Sequence, residues 1–156
     1  MSGLPADYKR KYRVPACFIV LRRDGKFFAI RRANTGWMDG VFTLPSGHVE
    51  EDETFLEAAI RETQEEAGVM LEAKNVHFAH LCERDEQKAM NERVWDDVYF
   101  VCDQFEGEPY NAEPEKASEG KWFDLENPPQ EELIPTVYHA LQQIKQGRYY
   151  SAYPAK

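Results

Sequence analysis

The strongest constraint on the fold is a helical pattern between Thr54 and Ala67. Small or apolar residues recur there at spacings of three and four, and Gly68 follows as a stop. The recurring positions are Phe55, Leu56, Ala59, Ile60, Thr63 and Ala67. One amphipathic helix is therefore expected, and the rest of the chain must supply the surface that covers its apolar side.

Strand-like runs flank this helix on both sides. Before it, "PACFIVL" and "KFFAIRR" are joined around Asp24-Gly25, a dipeptide whose tolerance of positive φ predicts a β-hairpin. "VFTLPSGHVE" then predicts a short strand that runs into a turn at Pro45, Ser46 and Gly47. After the helix, three further runs predict strands: "NVHFAHLCE", "DDVYFVCDQF" and "GKWFDL". The charged segment "RDEQKAMNERVW" separates the first two of these runs.

A second helix closes the pattern in "IPTVYHALQQIKQG". Pro135 suits a first helical turn, Val137, Leu141 and Ile144 form an apolar stripe, and Gly147 is a stop. Strands, a helix, more strands and a last helix favour an α/β (α+β) fold with a mixed sheet between helices. The 156 residues are expected to form a single domain, 1–156, with one hydrophobic core.

Composition narrows the class of protein. No apolar run approaches the roughly 20 residues that a membrane-spanning helix needs, and the short apolar run near the N-terminus leads into "RRDGK" instead of a cleavage site. Neither a signal peptide nor a membrane association is therefore expected. The three cysteines, Cys17, Cys82 and Cys102, form no C-x-x-C pair and fit a reducing, cytoplasmic setting.

The net charge restricts the partner. A formal charge of -9 argues against a nucleic-acid polymer, because affinity for that backbone requires clustered lysine and arginine. A small nucleotide remains compatible with this charge. An anionic ligand that enters an acidic site, however, needs a divalent cation between the two sets of negative charge.

The first helix carries an acidic face. Glu62, Glu65 and Glu66 fall within about a third of its circumference. One interpretation is a solvated face on which Arg61 pairs with Glu57 or Glu65, an arrangement that contributes about a few tenths of a kcal/mol. The apolar stripe is expected to turn this acidic group away from the main packing surface.

A hard cation explains the acidic face better. Like charges four residues apart, as in Glu62 and Glu66, destabilise a helix unless something neutralises them. Gly47 lies before the helix, where a residue without a side chain lets the backbone approach a ligand such as a phosphate. Mg²⁺ and Mn²⁺ prefer oxygen ligands, and proteins usually hold them with a few carboxylates and substrate phosphates. Without an ion, each pair of charges about 4 Å apart would repel by roughly 4 kcal/mol at an effective dielectric of about 20.

The segment from Gly47 to Val69 resembles the signature of the Nudix hydrolases, G-x5-E-x7-R-E-U-x-E-E-x-G-U, in which U is usually aliphatic. The matching positions are Gly47, Glu53, Arg61, Glu62, Glu65, Glu66, Gly68 and Val69. Thr63, at the first aliphatic position, is a departure that could loosen helix packing. The resemblance continues more loosely over residues 15 to 146, and it implies a Nudix-type α/β/α sandwich with a mixed β-sheet between helices.

The resemblance also implies a divalent-metal site, with Mg²⁺ or Mn²⁺ as the cofactor. Its expected ligands are Glu62, Glu65, Glu66, the backbone carbonyl of Ser46, and Glu113. Glu113 follows the stretch "EGEP", which is similar to a loop of MutT-type enzymes where a glutamate four residues beyond the proline approaches the metal. Glu115 is the alternative ligand, and an exposed loop without such a role is the alternative interpretation.

Catalytic roles are implied for Glu62, Glu65 and Arg61. Glu62 is the leading group to activate water, and Arg61 would orient the acidic cluster through a salt bridge with Glu53. Arg32, at the end of "FAIRR", would reach the phosphates of the substrate, although a solvated strand end is the other interpretation.

A small-molecule nucleotide is the implied substrate, hydrolysed at a diphosphate linkage. Several Nudix subgroups carry a downstream marker, but positions 84 to 88 read "RDEQK". The proline of ADP-ribose hydrolases and the tyrosine of diadenosine polyphosphate hydrolases are both missing there. A MutT-like enzyme that cleaves a nucleoside triphosphate to monophosphate and pyrophosphate, as a monomer or homodimer, is therefore the leading expectation.

Several alternatives stay open from the sequence. They are a hydrolase of a dinucleotide or nucleotide-sugar diphosphate, a non-catalytic nucleotide sensor, an isoprenyl diphosphate isomerase, and a structural domain with a fortuitous acidic helix. The base is also open. Four aromatic residues could stack on it or pack within the core and loops: Trp37, Phe42, Trp95 and Tyr99.

Overall fold

The elements of the fold come from a computed structural model that describes residues 12–85 and 93–154. Within them are β1 (Arg13–Arg23), β2 (Lys26–Arg32), β3 (Phe42–Thr43), β4 (Ser46–His48), α1 (Phe55–Ala67), β5 (Val76–Asp85), β6 (Val94–Cys102), β7 (Ala117–Asp124), α2 (Pro135–Lys145) and β8 (Tyr150–Tyr153). A single 3-10 turn, Ala73–Asn75, leads into β5. The charged segment predicted between β5 and β6 lies partly outside the described residues.

The strands form a mixed sheet centred on β1. Its order is β3-β2-β1-β6-β5-β8, with β4 paired to β1 and β7 paired to β2. β1 runs parallel to β6, and β5 runs parallel to β8, whereas the other pairings are antiparallel. β1 meets β2 only near their shared turn, which leaves the middle of β1 free to pair with the short strand β4.

Alternate residues of β1 point to opposite faces of the sheet, as the period of an extended strand requires. Phe18 and Val20 pack in one buried cluster with Val137 of α2. Ile19 packs in the other, with Ala59 of α1. The helices thus cover opposite faces, which confirms the predicted α/β/α sandwich, and the sheet divides the expected single core into two clusters.

Helix α1 forms where the sequence predicts it. Thr54 caps its N-terminus in a capping box with Glu57, and Gly68 ends it with φ 69°, a left-handed conformation that glycine adopts without strain. The buried side chains are small: Ala58, Ala59, Thr63 and Ala67. Thr63 does not loosen the packing, because its hydroxyl donates to the Ala59 carbonyl at 2.8 Å.

The first hairpin is also confirmed, with Asp24 and Gly25 both at positive φ between β1 and β2. The turn predicted at residues 45–47 is wrong in part. Ser46 and Gly47 belong to strand β4, where they pair with Phe18 and Cys17 of β1. A three-residue strand on the edge of a long one has too short a pattern to be detected from sequence.

Strand β8 has no counterpart among the predictions. It follows α2 and pairs with β5 through Leu81↔Tyr150 to Arg84↔Tyr153. Its side-chain anchor is the hydroxyl of Ser151, which lies 2.7 Å from Nε2 of His80 and 2.9 Å from Nε2 of His139. Nδ1 of His80 donates to the Arg148 carbonyl at 2.7 Å. These contacts join residues distant in sequence, so no local pattern predicts them.

The buried contacts of His80 with Ser151 and Arg148 predict that the free energy of unfolding decreases in acid. Burial lowers the pKa of His80 below its ordinary value, so near pH 6 the unfolded chain binds more protons than the folded one. The stabilisation is complete above about pH 6.5 and is lost as the pH falls towards the folded-state pKa. Urea unfolding from about pH 8 to about pH 5 should show a smaller fall for His80→Gln than for the wild type.

The matched control for this prediction is His77→Gln, which changes an exposed histidine on the same strand. Its pH profile should follow that of the wild type. Identical profiles for wild type and His80→Gln would contradict the role of His80.

Candidate active site

The site is built where α1 faces β4. The backbone N–H of Ser46 donates to Oε1 of Glu66 at 2.8 Å. A Cβ atom placed on Gly47 would overlap the carboxylate of Glu62. Glycine is therefore needed here for Glu62 to lie against the strand, a different reason from the predicted close approach of a ligand. Because β4 pairs with β1, both glutamates have a fixed backbone surface beneath them.

Burial shapes the charge of these two glutamates. Only 14% of the Glu62 side chain is exposed, and burial raises the pKa of Glu62 while Arg61 opposes that rise. Burial raises the pKa of Glu66 well above its usual value, the Ser46 N–H lowers it, and the charges of Glu62 and Glu113 raise it further. The expectation that the acidic group turns away from the packing surface is therefore wrong for Glu62 and Glu66.

Arg61 organises the acidic cluster. Its Nε and Nη2 atoms donate to the two carboxylate oxygens of Glu53 at 2.5 and 3.0 Å. Its Nη1 lies 2.9 Å from Glu62 and 3.3 Å from Glu65, whose side chain is 49% exposed. The hydrogen bond from Arg61 lowers the pKa of Glu53 to about 2. The predicted contact with Glu53 is present, whereas Glu57 is occupied by the capping box.

The loop that contains "EGEP" packs on the C-terminal end of α1. The backbone N–H groups of Tyr110 and Ala112 donate to the carbonyls of Ala67 and Glu66 at 3.0 and 3.1 Å. These bonds bring Glu113 close enough to influence Glu66. The Glu113 side chain is 23% exposed and lies 3.7 Å from Lys116.

Glu115 is placed differently from Glu113. Its side chain is exposed, and its backbone carbonyl accepts a hydrogen bond from Asn34 at 3.5 Å. Of the two glutamates, Glu113 is thus the one that the fold brings towards α1.

Arg32 lies at the end of β2 and turns into the following loop. Its Nε donates to the Trp37 carbonyl at 2.8 Å, and its Nη2 donates to the Thr35 hydroxyl at 2.9 Å. Burial lowers the pKa of Arg32, while the charges of Asp39 and Glu66 oppose that change. Arg32 is therefore partly enclosed beside the acidic cluster and not a solvated strand end.

A cavity of about 540 Å³ adjoins the acidic cluster. Ser46, Gly47 and Arg32 line it together with Trp37 and Trp95. Two of the four aromatic candidates therefore reach the cavity. The other two, Phe42 and Tyr99, are buried in the core beneath α2.

Two further residues of this cavity were missed by sequence reasoning. The His48 ring stacks on the Trp95 indole at 5.2 Å, and the Arg84 guanidinium lies 4.6 Å from the Trp95 ring centroid while it pairs with buried Asp97 at 2.6 Å. His48 lies on β4 and Arg84 on β5, and they meet at Trp95 of β6 only once the strands are paired, so no local pattern in the sequence links them.

The donors on α1 suit a hard cation. Glu62 and Glu66 present carboxylate oxygens in a partly buried setting, and the charges of Glu62 and Glu113 make ionisation of Glu66 harder. Within residues 12–85 and 93–154, no three His, Cys, Asp or Glu side chains are spaced to enclose a metal ion. Mg²⁺ commonly takes only one or two carboxylates and completes its shell with water and phosphate, so the residues present fit this ion.

Comparison with known proteins identifies the family. The model of the NUDIX domain matches residues 11–144. The chain belongs to the Nudix family. It shares 32% identity over 126 residues with the ADP-ribose pyrophosphatase of Methanocaldococcus jannaschii, covering 77% of this chain and 70% of that protein. It shares 29% identity over 109 residues with the 8-oxo-dGTP diphosphatase of Escherichia coli, covering 69% and 76%.

The fold of this Nudix protein matches solved members of the family. The crystal structure of a MutT NUDIX hydrolase from Burkholderia pseudomallei aligns with a TM-score of 0.73 and 28% identity, covering 85% of this chain and 98% of that one. The chain is accordingly a Nudix hydrolase that acts on nucleotide diphosphate compounds. Among the described residues, no helix is long and apolar enough to cross a membrane.

Proposed function

We propose that this Nudix hydrolase cleaves nucleoside triphosphates to nucleoside monophosphate and pyrophosphate with the help of a divalent cation. The observation that carries the proposal is the position of Glu62 and Glu66 against β4, beside Glu113 and a cavity lined by Arg32. This arrangement puts carboxylate oxygens and a cationic side chain next to a space large enough for a nucleotide.

Each residue of the cluster then has a distinct task. Glu62 accepts a proton from the attacking water, and Arg61 holds that carboxylate in place through its bond at 2.9 Å. Arg32 supplies positive charge for the phosphates, and the absent side chain of Gly47 leaves room for Glu62.

The candidate ligands of the ion are the carboxylates of Glu62, Glu65, Glu66 and Glu113 and the carbonyl of Ser46; one or two of these carboxylates, with water and substrate phosphate, would complete its shell. A bound divalent cation would neutralise charge on the phosphates and lower the pKa of a water molecule that it binds.

The choice of a triphosphate rests on the "EGEP" loop and on the relatives. Hydrogen bonds from this loop to Glu66 and Ala67 hold Glu113 beside the glutamates of α1, as expected for a MutT-like enzyme. The Escherichia coli relative is an 8-oxo-dGTP diphosphatase. The net charge of -9 favours a free nucleotide over a nucleic-acid polymer.

ADP-ribose is the second candidate substrate, because the archaeal relative is an ADP-ribose pyrophosphatase and its identity extends over 126 residues. A nucleotide sensor is less well supported, since every glutamate of the signature is present. Isomerase chemistry through a thiolate is disfavoured. The three cysteines are buried, and burial raises the pKa of Cys17 to about 12 and that of Cys82 to about 11.

The deciding experiment is hydrolysis of a substrate panel with and without Mg²⁺, with products identified by phosphorus NMR. The panel comprises normal and oxidised nucleoside triphosphates, ADP-ribose, dinucleoside polyphosphates and NADH. Pyrophosphate released from triphosphates only with the ion is the expected result. Release of AMP and ribose phosphate from ADP-ribose, with triphosphates left intact, would favour the second candidate. Melting-temperature shifts without any turnover would favour the sensor.

A further inference from the structure

The loop of residues 33–40, here called the Trp37 loop, is held in one conformation by its own hydrogen bonds. The Asp39 carboxylate accepts from the backbone N–H groups of Thr35 and Gly36 at 3.1 and 3.0 Å. The Gly40 N–H donates back to the Arg32 carbonyl at 2.7 Å and closes the loop on β2. Four of its residues have positive φ: Asn34, Gly36, Met38 and Gly40. Such a closed turn fixes the backbone position of the residue at its tip.

Trp37 is the side chain at that tip. Its carbonyl accepts from Arg32 Nε at 2.8 Å, and the Arg32 guanidinium lies 5.0 Å from the centroid of its ring. The residue is nevertheless 42% exposed while it lines the 540 Å³ cavity. An indole whose backbone and ring both contact Arg32 and which is open towards a cavity loses less freedom, when a ligand covers it, than an unrestrained side chain would.

The other indole of the cavity is already covered. Trp95 has His48 stacked on it at 5.2 Å with an interplanar angle of 26°, and Arg84 lies 4.6 Å from its ring. For Trp37, in contrast, Arg32 is the one charged or aromatic group found against the ring among residues 12–85 and 93–154. Of the two indoles, Trp37 therefore offers more open ring surface to a flat ligand.

Arg32 connects this indole to the acidic cluster. Its guanidinium contacts both the Trp37 carbonyl and the Trp37 ring, and its charge interacts with that of Glu66. A ligand with a phosphate chain beside Glu66 and a flat group against Trp37 would occupy both sides of Arg32. A nucleotide has this combination of a polyanion and an aromatic ring.

We propose that Trp37 is the platform on which the nucleobase of the substrate stacks, with Arg32 as the residue that positions it. This inference rests on the proposed function, since it takes a nucleotide as the substrate. Stacking tolerates every base because each has a π-face. The larger ring of a purine covers more of the indole, so purine nucleotides should bind more tightly than pyrimidine nucleotides.

The test measures binding, in the presence of Mg²⁺, of α,β-methylene triphosphate analogues, which resist cleavage, with inorganic tripolyphosphate as the probe that lacks a base. Trp37→Leu should weaken binding of the purine analogue by about 5- to 150-fold, the range that loss of one base–aromatic stack produces. Its affinity for tripolyphosphate should stay unchanged. Trp37→Phe keeps a smaller ring, so its affinity for the purine analogue should lie between those of the wild type and Trp37→Leu. It should also preserve the fold if Trp37→Leu does not.

The matched control is Tyr149→Leu, which removes an aromatic ring that is 71% exposed next to β8 and outside the cavity. It should bind every probe as the wild type does. In the wild type, the purine analogue should quench tryptophan fluorescence, and tripolyphosphate should not.

Unchanged analogue affinity in Trp37→Leu, or no analogue binding to the wild type, would overturn the proposal. If the wild type hydrolyses triphosphates and Trp37→Leu binds the analogue as tightly as the wild type does, the stacking role is refuted and the proposed reaction stands. If Trp37→Leu weakens analogue binding but the wild type does not hydrolyse triphosphates, the proposed reaction is refuted and the stacking role stands.

Discussion

Glu62→Gln is expected to lower kcat by about 10²- to 10⁴-fold while the protein remains folded, because an amide cannot accept the proton of the attacking water. The glutamine has the shape of the glutamate, and its carbonyl oxygen can still accept the bond that Arg61 donates at 2.9 Å. Burial raises the pKa of Glu62, so removal of the carboxylate takes an unfavourable charge out of a partly buried site.

The measurement is steady-state pyrophosphate release together with thermal unfolding of the same samples. Glu72→Gln is the matched control, since Glu72 is an exposed glutamate that follows α1 and pairs with Lys74. This control should retain wild-type turnover and a wild-type melting temperature. A folded Glu62→Gln protein with wild-type kcat would contradict the role of Glu62 as the base.

Local patterns made much of this fold predictable. The spacing of apolar residues, the cap at Thr54 and the stop at Gly68 define α1 within a residue of its observed ends. Asp24 and Gly25 specify the first hairpin because the positive φ values of a tight turn are encoded in two adjacent residues. The contact of Arg61 with Glu53 was predictable from the resemblance, because the family signature specifies both positions.

Contacts between distant residues were harder to predict. The sequence placed Glu62, Glu65 and Glu66 on one helix face but contained no sign that two of them are partly buried against β4. The burial of Glu62 and Glu66 depends on the pairing of β4 with β1, and a strand of three residues is too short for its pattern to predict that pairing. Strand β8 was missed for the same reason, because its anchor joins Ser151 to His80 across 71 positions of the chain.

The aromatic residues illustrate the same limit. Trp37, Phe42, Trp95 and Tyr99 look alike as candidates in the sequence, and only burial separates the two that line the cavity from the two in the core. Arg84 gains its place beside Trp95 through an ion pair with Asp97 on the neighbouring strand. Side chains acquire such roles from the register of the sheet, which single-strand patterns leave undetermined.

Gly47→Ala is expected to lower kcat by about 10²-fold, the loss that a displacement of about 1 Å causes at a catalytic group. The added Cβ would overlap the Glu62 carboxylate, which must then move away from β4. The moving atoms are the end of a flexible side chain, so the backbone of the sheet need not change. The free energy of unfolding should stay the same or rise by up to about 1 kcal/mol, since alanine restricts the unfolded chain more than glycine does.

A double-mutant cycle separates this mechanism from a general disturbance of the strand. In a Glu62→Ala background the carboxylate is absent, so Gly47→Ala should cause little further loss of kcat. The two substitutions would then share one effect, because the methyl group acts only by moving the Glu62 side chain. Multiplied losses in the double variant would show that the methyl group disturbs β4 or the phosphates directly, and would contradict the assignment of Gly47 as the residue that makes room for Glu62.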